Sequence, residues 1–167
     1  DRRHDRRALT HQEISALLRT TADAETRFGL TGRQRAMVYR LAVESGLRAS
    51  ELRSLRVGSF DLKGRTVTVE AAYSKRRRED VQPIRPATAM ELKAFFKGMP
   101  PDAPAFGLPI INQMTRMLKA DLAAAKIAYE KDGRYADFHS LRHTFISQVV
   151  RSGATVKEAQ SLARHSK

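Results

Sequence analysis

The chain contains no cysteine among its 167 residues. Disulfide frameworks and thiolate metal sites are therefore excluded, and the composition suits a reducing compartment. It has no apolar run approaching the ~20 residues that span a bilayer. It also has no basic amphipathic helix with an aromatic face that would lie on one. Internal repeats and low-complexity tracts are missing. The opening Asp1-Arg-Arg-His-Asp-Arg-Arg7 lacks the apolar centre of a signal peptide. No Met begins it, so the chain is expected to be an excised piece of a longer protein. Acidic residues are the last shortage: 18 Asp and Glu face 31 Lys and Arg, a net charge of +13. Such a surplus is a statement about partners, and nucleic acid comes first because cations displace the counterions condensed on phosphates.

What is present divides into helical stretches around a short region of alternation. Thr10-His-Gln-Glu13 has the spacing of a capping box, with Ile14, Leu17 and Leu18 following on one face. Thr31-Gly-Arg-Gln34 repeats the box ahead of Met37, Val38, Leu41 and Ala42, and Gly46 supplies the stop. A short helix is predicted over Ser50 to Leu55. The period then becomes two. Thr66 to Glu70 reads as a strand, Val81 to Ile84 as its partner, and Pro83 marks that partner as an edge. Helical spacing returns over Ala87 to Phe96. A proline-rich loop from Gly98 to Pro109 precedes a long helix, Asn112 to about Tyr129, and a polar loop through Asp132-Gly133. Ser140 to Ser152 and Val156 to Ala163 are the last helices. The fold class is α+β: a mostly helical domain over residues 10–167 with one small antiparallel sheet, preceded by a basic linker over residues 1–9.

Three stretches carry candidate chemistry. His139-Ser-Leu-Arg142-His143 is followed near the end by His165. His139 and Arg142 lie three apart, so on a helix they share a face and can converge on one anion. Imidazole donors and a bidentate guanidinium suit a phosphate better than a metal. His143 stands four residues from His139, a metal-ligand spacing, yet no Glu intervenes and no carboxylate is read as lying nearby. It reads as a packing neighbour of the site. Arg48 sits in Ser45-Gly-Leu-Arg-Ala-Ser-Glu-Leu52, between the stop of one helix and the Ser50-Glu51 that opens the next. A guanidinium held by short segments on both sides suits pre-organised anion binding. Read alone, it is an ordinary solvated arginine. Lys75, Arg76, Arg77 and Arg78 form the charged tip of the hairpin.

Together these motifs resemble the tyrosine recombinase (phage integrase) family. Glycine-leucine-arginine-x-serine-glutamate-leucine, then His-x-x-Arg-His, then a single His occur in the family's order and spacing, from about Thr10 to Lys167. By this resemblance Arg48 and Arg142 match the two catalytic arginines, and Glu51 matches an acidic residue that supports the site. His139 heads the His-x-x-Arg box, and His165 matches the His or Trp that follows it. Lys75, counted back from Pro83, matches the lysine of the hairpin, with Arg76, Arg77 and Arg78 as DNA contacts. The family's chemistry needs no metal or other cofactor. A tyrosine attacks a scissile phosphate, a 3′-phosphotyrosyl link forms, and a 5′-hydroxyl leaves. Two arginines neutralise the charge that develops, and the lysine protonates the leaving oxygen. The covalent link conserves the bond energy, so rejoining needs no ATP.

Plainer readings stand beside these roles. Lys75 is also one of four basic residues that could simply contact phosphates, and His139 could be a helix-terminal residue without chemistry. Glu51 could be a first-turn carboxylate favoured by the helix dipole. Two departures from the family pattern are visible. Arg164 stands where a glycine usually precedes the His165 position. The family's nucleophile lies about nine residues beyond that His, whereas Tyr39, Tyr73, Tyr129 and Tyr135 all lie upstream. The resemblance implies double-stranded DNA as partner, no membrane, and a cytoplasmic, DNA-associated protein of bacterial or phage origin. The 167-residue chain alone is expected to be monomeric and inactive, and its parent tetrameric on DNA. Two rivals remain: a non-catalytic basic nucleic-acid-binding module of the same fold, and a type IB topoisomerase-like enzyme.

Overall fold

Two reciprocal capping boxes start the first two helices where the sequence predicts them. In a computed structural model of the chain, which describes residues 5–74 and 77–153, Thr10 caps α1 (His11–Ala22) and Thr31 caps α2 (Gly32–Ser45). In each box the Thr hydroxyl accepts from the third helical N–H, and Glu13 or Gln34 accepts from the Thr backbone N–H. Gly46 ends α2 in the left-handed conformation, φ 71°. After one turn of chain, α3 (Ala49–Ser54) begins.

The sheet that follows is larger by one strand than the alternation suggested. A 3-10 turn at Val57–Ser59 leads into β1 (Phe60–Asp61), which pairs antiparallel with β2 (Thr66–Val69). β2 also pairs with β3 (Asp80–Pro83), Thr66 opposite Pro83 and Val69 opposite Asp80. β3 is an edge strand, as Pro83 requires. Val67 and Val69 point into the core from the central strand. At the hairpin's far end the Ser74 hydroxyl donates to Asp80 Oδ2 at 2.7 Å, which pinches the base of the basic tip.

α4 (Pro86–Phe95) has Pro86 at its first helical position, and its N-terminus is capped from another helix. Glu44, on α2, accepts from the Arg85 backbone N–H and from the Thr88 hydroxyl. α5 (Ile111–Ala124) stops several residues short of the predicted Tyr129. Lys126 is left-handed at φ 62°, Ile127 N–H donates to the Leu122 carbonyl, and Lys126 N–H donates to the Ala123 carbonyl. This is a Schellman stop built without glycine, so its usual sequence marker is missing. The expected polar loop at Asp132-Gly133 is a tight hairpin. Both residues have positive φ, and they join β4 (Glu130–Lys131) to β5 (Arg134–Tyr135). α6 (Ser140–Arg151) then packs along α2. The predicted helix from Val156 to Ala163 lies outside the described residues.

One core joins these elements. Leu17 of α1, Val38 and Leu41 of α2, Leu92 of α4, Met114, Met117, Leu118 and Leu122 of α5, and Leu141 of α6 are all buried in it. Phe60, Phe96 and Phe106 form an aromatic cluster under the sheet, with ring centroids 5.2–6.3 Å apart. A charged group also lies inside. Arg35 of α2, fully buried, donates to both oxygens of Asp121 on α5 at 2.8 and 3.1 Å, and the Tyr39 hydroxyl donates to the same carboxylate.

Residues 5–9, read from sequence as the end of a linker, are packed on the domain. Leu9 and Arg7 are buried, and Arg6 forms a parallel bridge with Tyr135.

Candidate active site

The site is assembled at the turn between α2 and α3. Gly46 is required there twice: its φ is positive, and an added Cβ would come within 2.5 Å of the Phe145 ring of α6. Leu47 anchors the turn in the core. Ser45 braces it, its hydroxyl donating to the Leu41 carbonyl at 2.6 Å and accepting from Leu47 N–H at 3.3 Å. Arg48 follows as the residue that caps α3. An arginine side chain has no acceptor, so the cap is completed from the other side by Glu51, whose Oε1 accepts the Arg48 backbone N–H at 2.9 Å. The second Glu51 oxygen lies 3.5 Å from the Arg48 guanidinium. Glu51 is fully buried, while the Arg48 side chain keeps 16% of its surface open. The carboxylate thus fixes both the backbone and the side chain of the arginine before any ligand arrives.

Arg142 reaches the same turn from α6. It is 3% exposed, and its Nη1 donates to the Gly46 carbonyl at 2.6 Å. A buried arginine tied to a carbonyl two residues before Arg48 places two guanidinium groups around one short loop. His139 stands three residues before Arg142, at the α6 N-terminus, and is half-buried. Burial pushes its pKa down to about 4; the charges of Arg6, Arg142 and Arg48 push the same way, and Asp137 opposes them. At neutral pH this ring is uncharged, so it offers one N–H donor and one nitrogen acceptor. His143, one turn further along α6, is exposed, and burial and Arg6 lower its pKa as well.

Of the residues read from sequence, Arg48, Glu51, His139 and Arg142 are brought to one place. Arg77 and Arg78 are exposed at the hairpin tip, with Arg77 left-handed at φ 57°. Lys75, Arg76 and His165 lie outside the described residues.

One expectation is overturned. The histidines do have a carboxylate beside them: Asp137 acts on the charge state of both. Its Oδ1 accepts from the Ser140 backbone N–H and hydroxyl at 3.2 Å each, and Arg6 Nε lies 3.0 Å from both of its oxygens. The spacing Asp137-x-x-Ser140 is a helix-start signal that could have revealed it. Arg6 could not have been found, since 131 residues separate it from its partner. Among the described residues no three His, Asp or Glu side chains group closely enough to hold a metal ion.

The fold and site define a helical α+β domain whose two arginines, one buried and one partly open, meet at one helix turn. The chain belongs to the phage integrase family, whose sequence pattern it matches over residues 7–167. Among curated proteins it is similar to the tyrosine recombinase XerA of Thermococcus kodakarensis, 25% identical over 96% of this chain and 54% of that one. Tyrosine recombinase XerC of Bacillus pumilus is 28% identical over 95% of this chain and 53% of that one. The chain therefore spans about half the length of the curated relatives it matches. Among solved structures, the Tn1549 transposon integrase in complex with transposon right end DNA superposes with a TM-score of 0.76 at 17% identity. That match covers 97% of this chain and 58% of the integrase.

Proposed function

We propose that this chain is the catalytic domain of a site-specific recombinase that breaks and rejoins double-stranded DNA through a 3′-phosphotyrosyl intermediate. The observation that supports this best is the convergence of Arg48 and Arg142 on the Gly46–Arg48 turn, within reach of neutral His139. Two guanidinium groups held by Glu51 and by a backbone carbonyl suit the two non-bridging oxygens of a phosphodiester. They would neutralise the charge that grows there as a fifth oxygen bonds to phosphorus. His139 adds a neutral N–H donor without competing for the negative charge. Lys75 on the hairpin tip would protonate the leaving 5′-oxygen, Arg76, Arg77 and Arg78 would hold flanking phosphates, and His165 would complete the cradle. No metal or other cofactor takes part. We place the protein in the cytoplasm with its DNA; no described helix is long and apolar enough to cross a membrane.

The nucleophile is assigned to a tyrosine C-terminal to Lys167 in the full-length protein. Three of the four tyrosines upstream are already engaged in packing or hydrogen bonding. Tyr39 is buried and bonded to Asp121, and burial with that carboxylate raises its pKa far above the usual phenol value. Tyr129 and Tyr135 pack ring against ring at 5.7 Å. Tyr73 is exposed beside the hairpin tip.

Full-length protein mixed with a nicked suicide duplex should form a covalent DNA adduct, and Arg142→Ala should slow its formation at least ~100-fold. The 167-residue chain should bind the same duplex but form no adduct. An undiminished rate in Arg142→Ala would remove the site assignment, and an adduct on the 167-residue chain would remove the assignment of the nucleophile.

A further inference from the structure

The helix that carries His139 and Arg142 is held at its start by a segment from the other end of the chain. Tyr135 N–H donates to the Asp5 carbonyl at 2.9 Å, and Arg7 N–H donates to the Tyr135 carbonyl at 3.1 Å. Arg6, between them, turns its side chain to Asp137, with Nε 3.0 Å from both carboxylate oxygens. Leu9 N–H donates to Thr144 Oγ1 at 3.0 Å, inside α6. Residues 5–9 thus touch residues 135, 137 and 144 in order, on both sides of His139 and Arg142. The strap is itself fastened: Arg7 meets Glu13 of α1 through two 3.0 Å bonds and donates to the Ala128 carbonyl, and Leu9 sits in the core.

Asp137 is the joint. It lies at the entry to α6, where a carboxylate is favoured by the unpaired N–H groups and the helix dipole. It binds Ser140 on one side and Arg6 on the other. The Arg6 and Asp137 side chains are mostly covered, at 23% and 20% exposure, so their pairing is shielded from solvent more than a surface ion pair is.

Resting on the recombinase reading above, we infer that Arg6 and Asp137 are positioning residues: the Asp5–Leu9 strap sets the place of the α6 N-terminus, and through it His139 and Arg142. Neither residue needs to touch DNA for this. Whatever precedes Asp5 in the parent protein is joined by this strap to the helix that holds the phosphate, so a pull on that segment would reach the site within a few residues.

The test uses Arg6→Ala, Arg6→Lys, Asp137→Ala and the Arg6→Ala/Asp137→Ala pair in the full-length protein, with the suicide duplex as probe. Misplacing a catalytic group by a fraction of an ångström costs roughly 10- to 100-fold in rate. At saturating DNA, Arg6→Ala and Asp137→Ala should each slow adduct formation by that order, while half-saturating DNA concentration changes less than about threefold. Arg6→Lys, which keeps the charge but loses the planar donor, should fall between. The double variant should be no slower than the slower single, because both act through one contact.

A second readout uses His139 by NMR titration in the 167-residue chain, which needs no cleavage. The charged groups acting on this ring are Arg6, Arg142 and Arg48, which lower its pKa, and Asp137, which raises it. Arg6→Ala should raise the value from about 4 toward the ordinary 6.5, since a positive neighbour goes and the ring gains water. Folded Arg6→Ala and Arg6→Lys proteins with wild-type rates, or single effects that multiply in the double variant, would overturn the strap. If wild-type protein formed no adduct, the functional reading would fall instead. An unchanged His139 titration in Arg6→Ala would still overturn the strap on its own.

Discussion

At the scale of residues, the turn Gly46-Leu-Arg48 carries constraints from three side chains on two helices, α3 and α6. Arg142 holds its carbonyl, Phe145 closes over the glycine, and Glu51 ties down both ends of Arg48. Gly46→Ala meets two penalties, a positive φ and a ring 2.5 Å from the new Cβ. The ring is buried, at 8% exposure, so moving it aside would disturb its own packing. Chemical denaturation should show a loss of roughly 2–4 kcal/mol. His139 makes a pH prediction. Its folded pKa, about 4, lies below the ordinary 6.5. The unfolded chain therefore binds the extra proton first, and the folded state loses stability as pH falls from about 6.5 toward 4. The contribution is fully present above that window. A melting-temperature series over this range should flatten in His139→Gln; His143, and toward the acid end Glu13, whose pKa values are also lowered, act in the same direction on what remains.

At the scale of elements, the long apolar helices were legible because their periodicity and capping boxes report burial directly. Thr10, Thr31 and Gly46 mark helix ends in the structure as they do in the sequence. α5 ends without a marker in the sequence because Lys126, rather than glycine, takes the left-handed stop. β1 and the β4–β5 pair have no sequence signature for another reason: two-residue strands leave no alternation to read. The residues of the candidate site differ in the same way from those that support the fold. Arg48, Glu51, His139 and Arg142 sit in local motifs, whereas Arg6 and the Arg35–Asp121 pair are defined only by partners distant along the chain. That buried pair also supports a prediction. Asp121→Ala leaves the buried Arg35 charge without its counter-ion, holding only the Leu30 carbonyl at 2.7 Å, at a cost of roughly 3–5 kcal/mol. The melting temperature should fall by about 10 °C. Replacing the whole buried polar group with apolar side chains, Arg35→Met and Asp121→Leu together with Tyr39→Phe, should recover much of the loss.

At the scale of the whole molecule, a charge of +13 would make the proposed DNA binding a matter of counterion release. Affinity of the 167-residue chain for a duplex should fall roughly 1,000-fold between 50 and 200 mM salt if about six phosphates are contacted. Arg77→Ala with Arg78→Ala should reduce the log–log slope by about two, if each exposed tip arginine holds one phosphate. A slope unchanged by that pair would move the contact surface off the hairpin. The central claim is narrower than DNA binding: Arg48, pre-set by Glu51, neutralises charge on one phosphate as it reacts. The most direct measurement compares adduct formation by full-length wild-type and Arg48→Ala proteins on two duplexes. One carries an ordinary scissile phosphate, the other an uncharged methylphosphonate at that position. The expected result is a large defect for Arg48→Ala on the charged substrate that shrinks by an order of magnitude or more on the neutral one. An equal defect on both would contradict charge neutralisation by Arg48.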